Sequence, residues 1–278
     1  GEKISLAEKY VELGNSYMEA KKWDKAEAAY VRALELDPGN TGCAYNLVRA
    51  YVETGKYDRA ITLAGKLLSE NPDNSLLLTV LAYAQYKAGK IDDAIASYKK
   101  VAELRWEDET SLYNLALLLE YAKRYDEAAS IYEKLIPLSQ TPDNLRLRLA
   151  VILTSGEKYS EALAYAKLYN GAKPDDGQGV KLLAKLLLKT GSQADALALL
   201  ESYTLKVSSD AEALFELARL QLLSGKTDEG KDSLAKALKA GFADVKLLDA
   251  LLAEPALAGI KPDLEKIVAE NTPKTKSK

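Results

Sequence analysis

Neighbouring carboxylates at Asp92-Asp93 and Asp175-Asp176 come closest in type and spacing to side chains that could do chemistry. Such a pair can divide acid and base roles or hold a cation. The second pair opens the run Asp175-Asp176-Gly177-Gln178-Gly179, which has the look of a calcium loop but lacks its alternating ligands and closing glutamate. Both pairs fall at breaks between helical patterns, where aspartate caps backbone amides and starts turns. Cys43 is the single thiol, and with no histidine anywhere there is no imidazole to activate it or to ligate a metal. Neither a phosphate-binding glycine loop nor a dinucleotide fingerprint occurs. The expectation is a protein that is not an enzyme, with no metal and no cofactor.

The elements that must carry these residues are announced by alanine. Ala26, Ala60, Ala94, Ala128, Ala162 and Ala196, then Gly230, follow one another at steps of 34 residues without insertion or deletion. A strict period of that length gives every unit the same neighbours, so the chain reads as a stacked array rather than a globule with one centre. Each unit holds two amphipathic runs. In the first, Tyr10, Leu13, Gly14 and Tyr17 recur at three- and four-residue steps, followed by Trp23, Ala26, Tyr30, Ala33 and Leu34, with Pro38 as the stop.

Counting Ala7 as position 1, these side chains occupy positions 4, 7, 8, 11, 17, 20, 24, 27 and 32. The pattern resembles the tetratricopeptide repeat, and the resemblance covers seven units over residues 7–244. It implies an all-α, right-handed superhelical solenoid of helix pairs. Small residues at positions 8 and 20 are expected where the two helices of a unit cross. Gly55, Gly89, Gly191 and Gly225 at position 15 suit a left-handed residue after the first helix. Asp24, Asp58, Asp92, Asp126 and Asp228 should open the second helices, where a negative charge meets the exposed amides.

Some units depart from the pattern. Pro137 should shorten the second helix of the fourth unit, and Gln85 replaces an aromatic at position 11 of the third. Gln193 and Thr227 stand where earlier units carry an aromatic or isoleucine, so those junctions should pack differently. Residues 245–270 are expected to cap the array with an apolar segment, a break at Glu254-Pro255 and a short helix. The polar tail 271–278 should be disordered.

The net charge of −3 gives no general attraction to nucleic acid, and no apolar run is long enough to span a bilayer. The chain opens at Gly1 and not at Met. A removed tag and a trimmed export or lipoprotein signal leave the same mark, so periplasmic, with or without a lipid anchor, and cytoplasmic placements both stay open.

In the family, first helices line the concave face and positions 2, 5, 6, 9, 12 and 13 point into it. Of the seventeen tyrosines, twelve fall at packing positions or on second helices; Tyr45, Tyr83, Tyr86, Tyr113 and Tyr121 fall on groove positions. Asn46 and Asn114 occupy position 6, where the resemblance implies an amide that holds a ligand backbone. Asn15 with Asn46 matches two members of the family's carboxylate clamp, but its basic positions hold Val11, Leu76 and Val80, so capture of a C-terminal carboxylate is not expected. Basic groove residues gather in the fifth and sixth units as Arg148, Lys181, Lys185 and Lys189.

The expected function is a non-catalytic scaffold or adaptor that binds an extended or helical protein segment. The contact set is Tyr45, Asn46, Arg49, Tyr83, Tyr86, Tyr113, Asn114, Arg148, Lys181 and Lys185. The alternative is an exported envelope accessory or assembly subunit that forms a homo-oligomer or binds a small ligand.

Overall fold

The computed structural model describes residues 1–272. Their helices are α1 (Glu2–Glu19), α2 (Trp23–Leu36), α3 (Thr41–Glu53), α4 (Tyr57–Glu70), α5 (Ser75–Lys87), α6 (Ile91–Leu104), α7 (Glu109–Tyr121) and α8 (Tyr125–Leu135). Then follow α9 (Pro142–Ser155), α10 (Tyr159–Ala172), α11 (Gly177–Lys189), α12 (Gln193–Lys206), α13 (Ala211–Leu223), α14 (Thr227–Lys239), α15 (Val245–Leu252) and α16 (Lys261–Asn271). A 3₁₀ turn spans Pro255–Ile260. No strand occurs among the described residues; the fold class is all-α, built from consecutive packed helix pairs as in an α-solenoid. Asn271 still belongs to α16, and the remainder of the expected disordered tail, from residue 273, lies outside the described residues.

Contacts divide the chain into two compact units, Gly1–Gln140 and Thr141 onward. The first holds the pairs α1/α2, α3/α4, α5/α6 and α7/α8, each also packed on the next. The second holds α9/α10, α11/α12 and α13/α14, followed by α15, the 3₁₀ turn and α16. There Leu248, Leu251, Leu257 and Leu264 join Leu234, Ala237, Leu238 and Phe242 in one buried cluster. Phe215 and Phe242 stack within it, 4.1 Å between ring centroids.

Small residues hold the pairs together. All six alanines of the periodic series have 0 % exposure, so no side chain beyond a methyl fits there. Gly230 ends the series because a Cβ would lie 2.6 Å from Cγ of Leu222, whose bulk already fills the methyl's place. Gly14 is small for the matching reason: a Cβ would meet the Tyr30 ring at 2.5 Å.

Position 15 is left-handed throughout. Gly55, Gly89, Gly191 and Gly225 have φ between 74° and 81°, and Lys21, Lys123 and Glu157 adopt φ of 55°, 57° and 60° at the same place in the other units. The turn therefore imposes the conformation, and glycine only makes it cheaper.

Charge and side-chain capping serve different junctions. The aspartates in the first turns of α2, α4, α6, α8 and α14 bring negative charge to the exposed amides, as expected, while the N-cap residues Lys22, Lys56, Lys90, Arg124 and Lys226 make no side-chain cap hydrogen bond. Side-chain capping occurs at the starts of first helices instead. Asn40, Asn74, Asp176, Asp210 and Asp244 accept from the backbone N–H three residues on. α8 is shortened to 11 residues ahead of Pro137, against 14 in α2, α4 and α6. Gln85 is buried and accepts from the Ser97 hydroxyl at 2.7 Å; Gln221 and Ser233 repeat the pair at 2.6 Å. A polar side chain is tolerated at position 11 because each unit that carries it brings its own partner.

Candidate functional site

The acidic pairs resolve into structure. Asp176 caps α11 through the Gly179 N–H and accepts from the Tyr169 hydroxyl at 3.1 Å. The glycines of that run are dictated by tyrosines: a Cβ on Gly179 would meet the Tyr169 ring at 2.5 Å, and one on Gly177 the Tyr203 hydroxyl at 2.7 Å. Asp92 and Asp93 sit in the first turn of α6. Among the described residues no three of Cys, Asp and Glu gather as a metal cluster. Cys43 is buried, its Sγ directed at the Tyr30 carbonyl oxygen at 3.6 Å, and desolvation pushes the thiol up to about 11. At neutral pH it is therefore held in the thiol form, which is a poor nucleophile.

The tyrosines on first helices behave differently from one another. In the first compact unit, Tyr83 and Tyr86 of α5, Tyr98 of α6, and Asn114, Leu117, Leu118 and Tyr121 of α7 surround a hollow of ≈ 350 Å³. Tyr83, Tyr86 and Tyr121 are 42 %, 44 % and 72 % exposed, while Tyr98 and Leu118 are buried as its floor. Burial raises the Tyr98 hydroxyl above its ordinary pKa, and a hydrogen bond from Asn114 acts against that shift. The lining contains no charged side chain; Lys87, just outside it, lies over the Tyr83 ring at 5.8 Å from the centroid.

The other sequence candidates are dispersed. Tyr45 is half-buried beside a separate hollow of ≈ 460 Å³ with Leu67, Asn71 and Leu77. Tyr113 is half-buried with its ring edge-on to Tyr132, at 6.3 Å and 81°. Asn46 donates to Asn15 Oδ1 at 3.2 Å, and the same oxygen accepts from the Tyr30 hydroxyl at 2.7 Å. Arg49 is exposed on α3. In the second unit, Arg148 is exposed on α9. Lys181 donates to Glu212 at 2.7 Å and lies 3.7 Å from Asp210. The basic run read from the sequence is thus partly neutralised by the next repeat. Lys185, exposed and with no ion pair among the described residues, borders a hollow of ≈ 630 Å³ shared with Glu212, Glu216 and Arg219.

Four residues of the aromatic hollow, Tyr98, Leu117, Leu118 and Tyr121, fall outside the sequence-based contact set, two of them tyrosines. Tyr121 was on a groove position but outside that set, and only its exposure marks it. Tyr98 stands at a packing position, and no sequence signal distinguishes it from Tyr30 or Tyr132, which pack at the same place in their units. Its place under the hollow follows from the neighbouring α7 presenting Asn114 and Leu118.

Repeated helix pairs crossing on small residues, with a left-handed turn between the helices and a polar cap before several of the pairs, define a helical-repeat protein. Tetratricopeptide-repeat profiles match residues 17–67, 119–186 and 181–244, and a profile described as anaphase-promoting complex, cyclosome, subunit 3 matches 53–135. The chain belongs to the tetratricopeptide-repeat family, which is generally a non-catalytic protein-interaction fold. No curated protein matches. Among solved structures it is similar to a chain of the structure of Naa15/Naa10 bound to HypK-THB, at 16 % identity and TM-score 0.73 over 97 % of this chain and 42 % of that one. A tetratricopeptide-repeat protein from Parabacteroides merdae matches at 19 % identity and TM-score 0.53, over 95 % and 99 % of the two chains. YrrB, described as having an unusual peptide-binding site, matches at 20 % identity and TM-score 0.52 over 71 % of this chain and 97 % of its own. Such likenesses establish the fold.

Among the described residues no helix is long and apolar enough to cross a membrane.

Proposed function

We propose that this protein is a non-catalytic interaction module that recruits a partner protein through a segment laid across its first helices. The observation that carries the reading is the hollow of Tyr83, Tyr86, Tyr98, Asn114 and Tyr121, where three exposed aromatics stand around a buried floor. Rigid amphipathic rings with few rotatable bonds supply contact area at low entropic cost and are enriched at binding hot spots. The family's general role and the peptide-binding site described for YrrB support the reading.

Asn114, Tyr83 and Tyr86 form the centre of the proposed contact, joined by Tyr121. Tyr45, Asn46, Arg49 and Tyr113 extend it along the same compact unit, and Arg148, Lys181 and Lys185 offer secondary contacts on the other. A pull-down from the native organism, with wild type and the Tyr83→Ala/Tyr121→Ala double variant compared by mass spectrometry, tests it. Loss of a partner from the variant is expected. Equal recovery of every partner would remove the first-helix face as the site.

A further inference from the structure

We propose that the tyrosine hollow of the first compact unit takes a proline-rich segment in the extended polyproline conformation. The proposal rests on the interaction reading above and adds the chemistry of the occupant. Four tyrosines, two leucines and one asparagine make up the whole lining. The lining offers aromatic faces with hydroxyl and amide groups that donate and accept, and no carboxylate, ammonium or guanidinium among them.

Each alternative occupant leaves part of this lining unused or opposed. An acidic or basic peptide would have to desolvate its charge against a surface with no counter-charge. The nearby cation, Lys87, is already placed over the Tyr83 ring. Single-stranded nucleic acid could stack on tyrosine but needs a cationic track for its phosphates, which the lining lacks. A helical peptide presents backbone carbonyls that are already bonded within the helix, so the ring of hydroxyl donors would find no acceptors from its main chain.

A polyproline segment fits on all three counts. Its carbonyls have no internal partner and accept from hydroxyl and amide donors. Its pyrrolidine rings are flat, apolar and uncharged, and suit aromatic walls. Proline also brings no backbone N–H, and therefore places no unpaired donor against the aromatic walls. The preformed extended conformation lowers the ordering cost of binding. Tyr83, Tyr86 and Tyr121 stand exposed over the buried Tyr98, so the hollow is open to solvent and a continuous chain can pass over it without threading.

Titration of the full chain with decaproline tests the proposal by calorimetry, with a length-matched glycine–serine peptide, an alanine-rich helical peptide and oligouridylate as competitors for the same role. Saturable binding of decaproline alone is expected. Tyr121→Ala should weaken it about tenfold or more, and Tyr121→Phe, which keeps the ring and removes the donor, roughly two- to tenfold. Leu205→Ala, at a side chain 86 % exposed in the other compact unit, should leave binding unchanged and confirm that the effect is local. Thermal melts of each variant establish that it is folded.

Absent decaproline binding, or binding indifferent to Tyr121→Ala, overturns the proposal, as does equal binding of the helical peptide or the oligonucleotide. If decaproline fails while the tyrosine double variant still loses its cellular partner, the interaction reading stands and only the occupant's chemistry falls. If both fail, both readings fall together.

Discussion

Single residues show how closely this array is fitted. Gly14 and Gly65 are both helical glycines, yet a Cβ on the first would meet the Tyr30 ring at 2.5 Å and on the second would meet nothing within 4 Å. Gly14→Ala should therefore destabilise the protein by about 1–3 kcal/mol through overpacking. Gly65→Ala should stabilise it by up to about 1 kcal/mol, because alanine is the better helix former and nothing obstructs it. Chemical denaturation of the two variants against wild type measures the contrast; losses of equal size would mean that the Gly14–Tyr30 contact is not what keeps this position small.

At the scale of helices and turns, the left-handed residue at position 15 and the ion pairs between successive units are the parts open to test. Lys123 holds φ of 57° where four other units use glycine. A left-handed side chain costs about 1–2 kcal/mol, and the greater freedom of an unfolded glycine cancels part of the gain. Lys123→Gly should thus raise stability by about 0.5–1 kcal/mol, read from the denaturation midpoint; an unchanged or lowered midpoint would contradict it. Glu127 sits between Arg124, at 2.6 Å, and Lys99, also at 2.6 Å. The Arg124 hydrogen bond first, then that of Lys99, lowers its pKa from 4.5 to about 2. A depressed folded pKa gives stability that is present above the unfolded value and is lost as pH falls from about 4.5 towards 2. Because these side chains are about two-fifths exposed, solvent screens the pair and the contribution is at most about 0.5–1 kcal/mol. Glu127→Gln should lower stability near neutral pH by that amount, flatten the acid limb over that interval and converge with wild type as pH approaches 2. A variant with the same acid limb as wild type would show the pair to be energetically silent.

For the whole molecule, repeat architecture makes a mutation's reach a matter of distance along the chain. Within each compact unit every helix pair contacts its sequence neighbours, and stability sums from local and nearest-neighbour terms. Ala94→Leu, at a site with 0 % exposure where α5 and α6 pack, should cost about 1–3 kcal/mol. Hydrogen exchange followed by mass spectrometry should show the loss of protection concentrated in α4 to α7 and nearly absent in α11 to α14. Uniform loss along the chain would mean that it opens as one cooperative body.

Much of this was legible before any coordinates. The 34-residue step carried by Ala26 through Ala196 is enough to announce repeated helix pairs, since a side chain limited to a methyl at one spacing reports a helix crossing at that spacing. Glycine at position 15 announced the left-handed turn in the same way, and Pro137 the short α8. These features depend on local conformation or on contacts that repeat identically, and a period exposes both. The site depended on contacts that do not repeat. Lys181 reads as a free cation until Glu212, 31 residues on, is folded against it, and Asn46 reads as a free amide until Asn15, 31 residues back, takes its N–H. Tyr113 looks like Tyr83 in sequence, but one rests its edge on Tyr132 while the other opens onto the hollow. Pairings nearly one period apart are set by rotamers and by which side chain the next helix happens to present, and only the packed structure specifies those.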